Sequence, residues 1–144
     1  MALQVLRDSH TRAVVPDSSC FLCDGSALLV LLAARDLIHA GWRLLHHPLY
    51  GNYRPHQQPY RSVLLARRDA AADSPRGGDV QRTPTDSESL HLIEAALGFF
   101  SNSRILTPDM AATSLLKDCA ALDFALMRLP LQQAGLPDCL VPTA

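Results

Sequence analysis

The sequence predicts a small, single-domain α/β fold in which a short β-sheet is packed by about three helices. The main observation is the segment 60–67, whose centre, Val63-Leu64-Leu65, would be apolar on both faces of a strand. Such a strand belongs inside a sheet that is covered by helices. Apolar residues recur at helical spacing in 26–40 and again in 87–100, which supplies the covering helices. A length of 144 residues fits one domain spanning 1–144.

The composition is that of a globular chain with little net charge. It is 48% hydrophobic and 19% charged, and its formal net charge is −1 at pH 7. This balance gives no general attraction to nucleic acid or to an anionic membrane. The longest apolar run, Ala27 to Ala34, is shorter than the roughly 20 residues of a membrane-spanning helix. The N-terminus shows no secretory signal, so the expected compartment is the cytoplasm.

The N-terminal region gives weak signals, with short strands predicted at Ala13-Val14-Val15 or Cys20-Phe21-Leu22. Cys20 and Cys23 form a CxxC pair, a spacing that is used for redox chemistry. Neither a second cysteine pair nor a histidine pair follows at zinc spacing, and the Phe-Leu interior is typical of a buried strand. We therefore expect no metal and no cofactor here, and whether Cys20 and Cys23 are redox-active is left open.

The first helix, 26–40, is capped by Asp24 or Ser26 and ends at Gly41. A strand over 42–47 follows. A long loop then precedes the strand 60–67. In that loop Pro48, Pro55 and Pro59 restrict the backbone, and Gly51 allows a turn. A loop of this length with three prolines is expected to be ordered, and such loops often carry function.

The second half of the chain is predicted to be helical after an exposed, mobile insertion over 69–84. Thr85 to Glu88 has capping-box spacing and starts a helix ending near Phe100. Its expected buried stripe is Leu90, Ile93, Ala96, Leu97 and Phe100. The last helix is predicted to start at Thr107-Pro108 and to stop at Pro130, before a loosely ordered tail over 130–144. Its expected buried face is Ala112, Leu115, Leu116, Cys119, Leu122 and Leu126, widened by Phe124 and Met127.

Polar and aromatic side chains concentrate between residues 35 and 62. Arginines in this stretch could hold a carboxylate or phosphate through paired hydrogen bonds. His46 and His47 would point to opposite faces of a strand, so at most one of them could join a site with His39. The chain contains neither a zinc-protease His pair, nor a phosphate-binding glycine loop, nor a GxSxG nucleophile motif. Whether the protein is an enzyme is left open.

One third of the chain, Ser26 to Ala66, resembles the GrdX family of small bacterial proteins. The matching residues are Arg35-Asp36-Leu37-Ile38-His39-Ala40-Gly41, Leu44-Leu45, His47-Pro48-Leu49, Gly51, Pro55 and Pro59-Tyr60-Arg61-Ser62-Val63. The resemblance implies an accessory protein encoded beside glycine, sarcosine and betaine reductase components in anaerobic amino-acid fermentation. Family members open with an apolar strand and an Asn-rich turn, which Met1 to Pro16 do not match.

The resemblance and the loop together indicate a binding region for a reductase component or a small carboxylate. Its candidate residues are Arg35, Asp36, His39, His47, Pro48, Gly51, Tyr60, Arg61 and Ser62. We expect His39, His47 and Tyr60 to converge with Arg35 or Arg61 under the loop 48–58. Two alternatives stay open. One is a small enzyme that uses His39 or His47 as acid or base on a carboxylate. The other is a structural or regulatory module that forms homo-oligomers.

Overall fold

A computed structural model of the chain describes residues 2–8, 20–23, 26–51, 54–67, 84–101 and 104–135. Four strands in this part form one mixed sheet: β1 (Ala2–Asp8), β2 (Cys20–Cys23), β3 (Arg43–Leu44) and β4 (Val63–Arg67), in the order β2-β1-β4-β3. β1 pairs parallel with β2 and antiparallel with β4, and β3 pairs antiparallel with β4. The α/β class is therefore confirmed. The predicted insertion over 69–84 lies almost entirely outside the described residues.

The structure has a strand, β1, near the N-terminus that the sequence analysis does not predict. No strand was predicted between residues 2 and 8, yet β1 occupies the centre of the sheet between β2 and β4. Its pairing with β4, from Ala2↔Arg67 to Leu6↔Val63, explains why a weakly patterned segment is extended. The strand predicted at Cys20–Leu22 is confirmed as β2. The alternative strand at Ala13–Val15 falls outside the described residues.

Helix α1 (Ala27–His39) packs across the sheet and against α2 (Ser87–Gly98). Its buried side chains join those of α2 and β4 in one apolar cluster: Ala27, Val30, Leu31, Ala34, Ile38, Val63, Leu65, Ile93, Ala96 and Phe100. The predicted stripe of α2 is thus confirmed, with Leu90 and Leu97 partly buried at its edges. The predicted burial of Val63 and Leu65 is confirmed as well.

Gly41 ends α1 as predicted. It lies at a φ of 91°, a conformation that glycine adopts without strain. The Trp42 N–H donates to the Leu37 carbonyl at 3.1 Å, and the Gly41 N–H donates to the Ile38 carbonyl at 3.0 Å. These two bonds are those of a Schellman motif, and they turn the chain from the helix into β3.

The N-terminus of α2 is capped by Asp86, where the sequence predicted a capping box built from Thr85 and Glu88. The Asp86 carboxylate accepts from the Ser89 N–H at 2.9 Å, and this hydrogen bonding lowers the pKa of Asp86. The Ser89 hydroxyl in turn accepts from the Leu44 N–H at 2.8 Å, so the cap also links α2 to β3.

Asp86→Ala is expected to lower the free energy of unfolding by about 1 kcal/mol, because the Ser89 N–H loses its acceptor. Thr85→Ala and Glu88→Ala are the matched controls, and each should cost clearly less. Urea unfolding followed by circular dichroism measures all three. A larger loss for Glu88→Ala than for Asp86→Ala would restore the capping-box interpretation.

The last helix differs from its prediction at both ends. Thr107 and Pro108 begin only the short 3₁₀ helix η2 (Pro108–Met110), and α3 spans Thr113–Gln133. Ala111 and Ala112 are extended and redirect the chain between the two helices.

Pro130 does not stop α3 but lies inside it. A proline costs a helix one hydrogen bond, and burial of Met127 and Leu131 on either side of it against Leu64 offsets that loss. The helix ends at Gly135, whose φ is 80°. Residues 130–133 are therefore helical and not part of a loose tail, whereas 136–144 lie outside the described residues.

The buried face of α3 also differs from the predicted stripe. Its buried side chains are Asp123, Met127 and Leu131. Of the predicted set Met127 alone is buried, while Leu115 and Ala112 are exposed and the others are half-buried. α3 packs on Leu64, whereas α1 packs on Val63 and Leu65. Because neighbouring side chains of a strand point to opposite faces, α3 and α1 cover opposite faces of the sheet.

Candidate functional site

The long loop between β3 and β4, residues 45–62, is held on its inner side by a cluster of buried and half-buried polar groups. We call these residues the Asp123 cluster: His46, Tyr50, Arg61, Ser62 and Asp123. Four of them come from the loop, and α3 contributes Asp123. The short 3₁₀ helix η1 (Pro55–Gln57) lies in the same loop.

The cluster forms where β3 leaves the sheet. The predicted strand 42–47 shortens to Arg43–Leu44, although the Leu45 N–H still donates to the Leu64 carbonyl at 3.0 Å. The N–H and carbonyl of one residue in an antiparallel strand point to the same side, so the Leu64 N–H faces the same edge. His46 Nε2 accepts that N–H at 3.0 Å. A side chain thus replaces the strand partner and ends β3 early.

Side chains also take the place of a strand partner at Ser62, which lies two residues before Leu64 on the same edge of the sheet. Its N–H donates to the Tyr50 hydroxyl oxygen at 3.1 Å and to Asp123 Oδ1 at 3.3 Å. The predicted strand 60–67 therefore begins only at Val63. Side chains of the cluster satisfy both N–H groups, at Ser62 and Leu64, on an edge that would otherwise be open to pairing.

Asp123 is the centre of the cluster. Its carboxylate accepts from the Tyr50 hydroxyl and, at 2.6 Å, from the Ser62 hydroxyl. Burial raises the pKa of Asp123, and the hydrogen bonds from Ser62 and Tyr50 oppose that shift. Burial, reinforced by the Asp123 charge, raises the pKa of Tyr50 well above its ordinary value, so the hydroxyl keeps its proton and donates it.

Arg61 lies across the Tyr50 ring, with its guanidinium carbon 5.1 Å from the ring centroid. It is 1% exposed. Its Nη1 donates to the Pro48 carbonyl at 2.9 Å and its Nη2 to Gln58 Oε1 at 2.6 Å, so one side chain holds both ends of the loop. Nε is buried and makes no hydrogen bond within the described part of the chain. Arg61 and Asp123 also provide opposite charges next to Tyr50, one over its ring and the other at its hydroxyl.

His46 is a neutral histidine in this setting. Its Nδ1 lies 3.0 Å from the His47 carbonyl, so Nδ1 carries the proton and Nε2 is free to accept from Leu64. Burial, together with the positive charge of Arg61, lowers the pKa of His46 to about 4, although the Nδ1 hydrogen bond opposes this. The imidazole meets the Tyr50 ring edge-on, with centroids 5.1 Å apart.

The predicted site residues separate into two groups. Pro48, Arg61 and Ser62 belong to the bonded loop, and Tyr60 beside them is buried. Gly51 is exposed at a φ of 86°, as its turn requires. His47 is exposed, and its Nδ1 accepts from the Leu49 N–H at 3.1 Å.

The α1 residues form the second group. Arg35 and Asp36 pair with each other at 3.4 Å on the surface of α1, and His39 is exposed. Within the described residues, neither Arg35 nor His39 hydrogen-bonds to Arg61, Ser62 or Asp123. The convergence of His39 with His47 stays a prediction.

Sequence reasoning missed Tyr50 and Asp123, and it did not assign His46 a role. Asp123 did leave a signal, because a carboxylate stands four residues before Met127 and four after Cys119 on an otherwise apolar stretch. A charged residue at such a position needs a buried partner.

The cluster is suited to positioning the loop more than to chemistry. Ser62 and Asp123 are hydrogen-bonded, but both are buried and no described histidine is bonded to the Ser62 hydroxyl. Among the described residues, no group of three or more His, Cys, Asp or Glu is arranged to hold a metal ion. None of the described helices combines the length and the apolar character that crossing a membrane requires.

The fold and the cluster define a small α/β protein that presents one long, internally braced loop. The GrdX family model, described as "GrdX-like protein", matches residues 9–132, and the chain belongs to this family. The match covers most of the chain, including the whole loop and Asp123. No curated protein and no solved structure matches the chain.

Proposed function

We propose that this protein is a cytoplasmic accessory protein of the glycine, sarcosine and betaine reductase system, and that it binds a reductase component. The docking surface consists of three exposed residues on the outer side of the loop 45–62, namely His47, Gly51 and Arg54. Membership of the GrdX-like family and the resemblance over Ser26 to Ala66 support the link to these reductases.

The observation that carries the proposal is the contrast between the two sides of this loop. Its inner side is tied down by Arg61, Tyr50 and Asp123, while its outer side exposes a histidine and an arginine. Ordering a loop on binding costs conformational entropy, and a loop that is already rigid avoids this cost. An exposed loop on a rigid support is a common arrangement for recognition.

A protein partner fits the loop better than a small anion does. Both terminal nitrogens of Arg61 already donate to the loop, and Asp123 provides a negative charge nearby. The buried Nε favours a second candidate, a small carboxylate bound at Arg61, since this N–H makes no hydrogen bond to the described residues. That ligand would have to displace part of the cluster, so the docking function comes first.

Two observations test the docking function. Genes for reductase components should lie beside the gene for this protein. In biolayer interferometry against purified reductase components, the double variant His47→Ala/Arg54→Glu is expected to bind at least about tenfold more weakly than the unchanged protein, which corresponds to roughly 1.4 kcal/mol. His91→Ala/Arg128→Glu is the matched control, because it alters an exposed histidine on α2 and an exposed arginine on α3.

The control variant should bind like the unchanged protein. Unaltered binding by the His47/Arg54 variant, or no binding of any component by the unchanged protein, would reject the docking function. His39→Ala decides how far the surface extends, since weaker binding by this variant would place the end of α1 within it. Turnover of a carboxylate that is lost in His39→Ala or His47→Ala would instead favour the enzyme alternative.

A further inference from the structure

An open cleft of about 610 Å³ lies between η1, in the second half of the loop, and the segment that leads into the start of α3. The described residues that line it are His56, Gln57, Arg104, Ile105, Leu106, Met110 and Leu115. None of them belongs to the Asp123 cluster, and none is His47, Gly51 or Arg54, although His56 and Gln57 lie in the same loop as those three residues.

The lining combines an apolar wall with positive charge. Ile105, Leu106, Met110 and Leu115 form the wall, and two of these are large apolar side chains left in water, Met110 at 50% and Leu115 at 44% exposure. Arg104 contributes a guanidinium group and His56 an imidazole, whereas none of the described lining residues is acidic.

The two walls of the cleft are joined. The Leu106 N–H donates to the His56 carbonyl at 2.8 Å, which ties the segment before η2 to η1. Gln58, directly after the lining residue Gln57, accepts from Arg61. The cleft wall is thereby connected to the buried cluster. Small-molecule sites are usually largely formed before the ligand binds, have volumes of roughly 300 to 1,000 Å³, and are mostly apolar with a few polar groups.

We propose that this cleft binds a small carboxylate with an apolar body, such as an arylacetate or a medium-chain carboxylate. Arg104 would hold the carboxylate through paired N–H donors, and the apolar body would cover Leu106, Met110 and Leu115. An uncharged apolar ligand would make no ionic contact with Arg104. A small polar anion would leave the apolar side chains of the wall exposed to water. The proposal does not depend on docking of a reductase component.

Isothermal titration calorimetry and ligand-observed NMR test the proposal with phenylacetate and hexanoate as probes. The uncharged probe 2-phenylethanol has the apolar body of phenylacetate without its carboxylate, and acetate has the carboxylate without the apolar body. Both carboxylates should bind saturably, and both comparison probes at least about tenfold more weakly, a difference of roughly 1.4 kcal/mol.

Two variants assign the roles of the residues. Arg104→Gln should remove the preference for phenylacetate over 2-phenylethanol, and Leu115→Ser should weaken binding of both. Arg128→Gln, which changes an exposed arginine of α3 outside the lining, should bind like the unchanged protein. Circular dichroism confirms that each variant is folded.

Absence of saturable binding by both carboxylates would overturn the site, as would binding that neither Arg104→Gln nor Leu115→Ser alters. If Arg104→Gln lost affinity for phenylacetate and for 2-phenylethanol equally, the proposed role of the Arg104 charge would be wrong. Because none of these variants touches His47 or Arg54, failure here leaves the binding of reductase components measurable on its own. The two proposals can therefore fail independently.

Discussion

Asp123→Ala is expected to lower the free energy of unfolding by about 3 to 5 kcal/mol, the cost of removing one partner from a buried charged network. The Tyr50 and Ser62 hydroxyls would lose their acceptor, and the Arg61 charge would lose its nearby counter-charge. Unsatisfied buried donors cost more than the net gain of the bonds they made. Urea unfolding followed by circular dichroism measures the loss.

Asp118→Ala is the matched control, because it removes an exposed carboxylate from the same helix. Its effect should stay within about 0.5 kcal/mol. A double-mutant cycle between Asp123→Ala and Tyr50→Phe should give a coupling energy of at least roughly 0.5 kcal/mol, since the two groups share a hydrogen bond. A loss below about 1 kcal/mol for Asp123→Ala would show that the cluster does not brace the loop in solution.

Acid is expected to destabilise the protein through His46, by about 3 kcal/mol between pH 6.5 and pH 4. The folded-state pKa of His46 is lowered to about 4 from an ordinary value of 6.5. The unfolded chain therefore takes up a proton below pH 6.5 that the folded protein does not take up until about pH 4. Each unit of difference corresponds to about 1.4 kcal/mol. The stability contributed by His46 is complete above pH 6.5 and is lost as the pH falls towards 4.

Asp123 acts in the opposite direction over part of this range. Its raised pKa lets the folded protein bind a proton before the unfolded chain does, so its contribution increases as the pH falls. The comparison of unchanged protein with His46→Gln separates the two effects. A glutamine can still accept from the Leu64 N–H but does not titrate. Urea unfolding from pH 7.5 to pH 4 should show a shallower decline for His46→Gln, and parallel curves would contradict the neutral buried assignment of His46.

Much of the local structure follows from the order of the residues. The helix ending at Gly41, the strand at Cys20 and the stripe of α2 depend on side chains a few positions apart, which a linear pattern contains. β4 was also predictable, since apolar residues on both strand faces require cover on both sides. Predictions failed where distant partners decide, as for β1, whose weak pattern is compensated by pairing with β4 on one side and β2 on the other.

The candidate site shows the same division. The sequence alone predicted a proline-restricted loop over 48–58 and gave Pro48, Arg61 and Ser62 as candidate binding residues, with Arg61 and Ser62 in the strand 60–67. In the structure all three take part in the hydrogen bonds that hold the described part of the loop. Only the tertiary structure decided which side of the loop is buried and which side is exposed. Asp123 lies 73 positions from Tyr50 and 61 from Ser62, and the position of α3 against Leu64 brings them together. The physical reason is that a buried carboxylate requires donors, and in a folded chain these come from whichever segment packs against it.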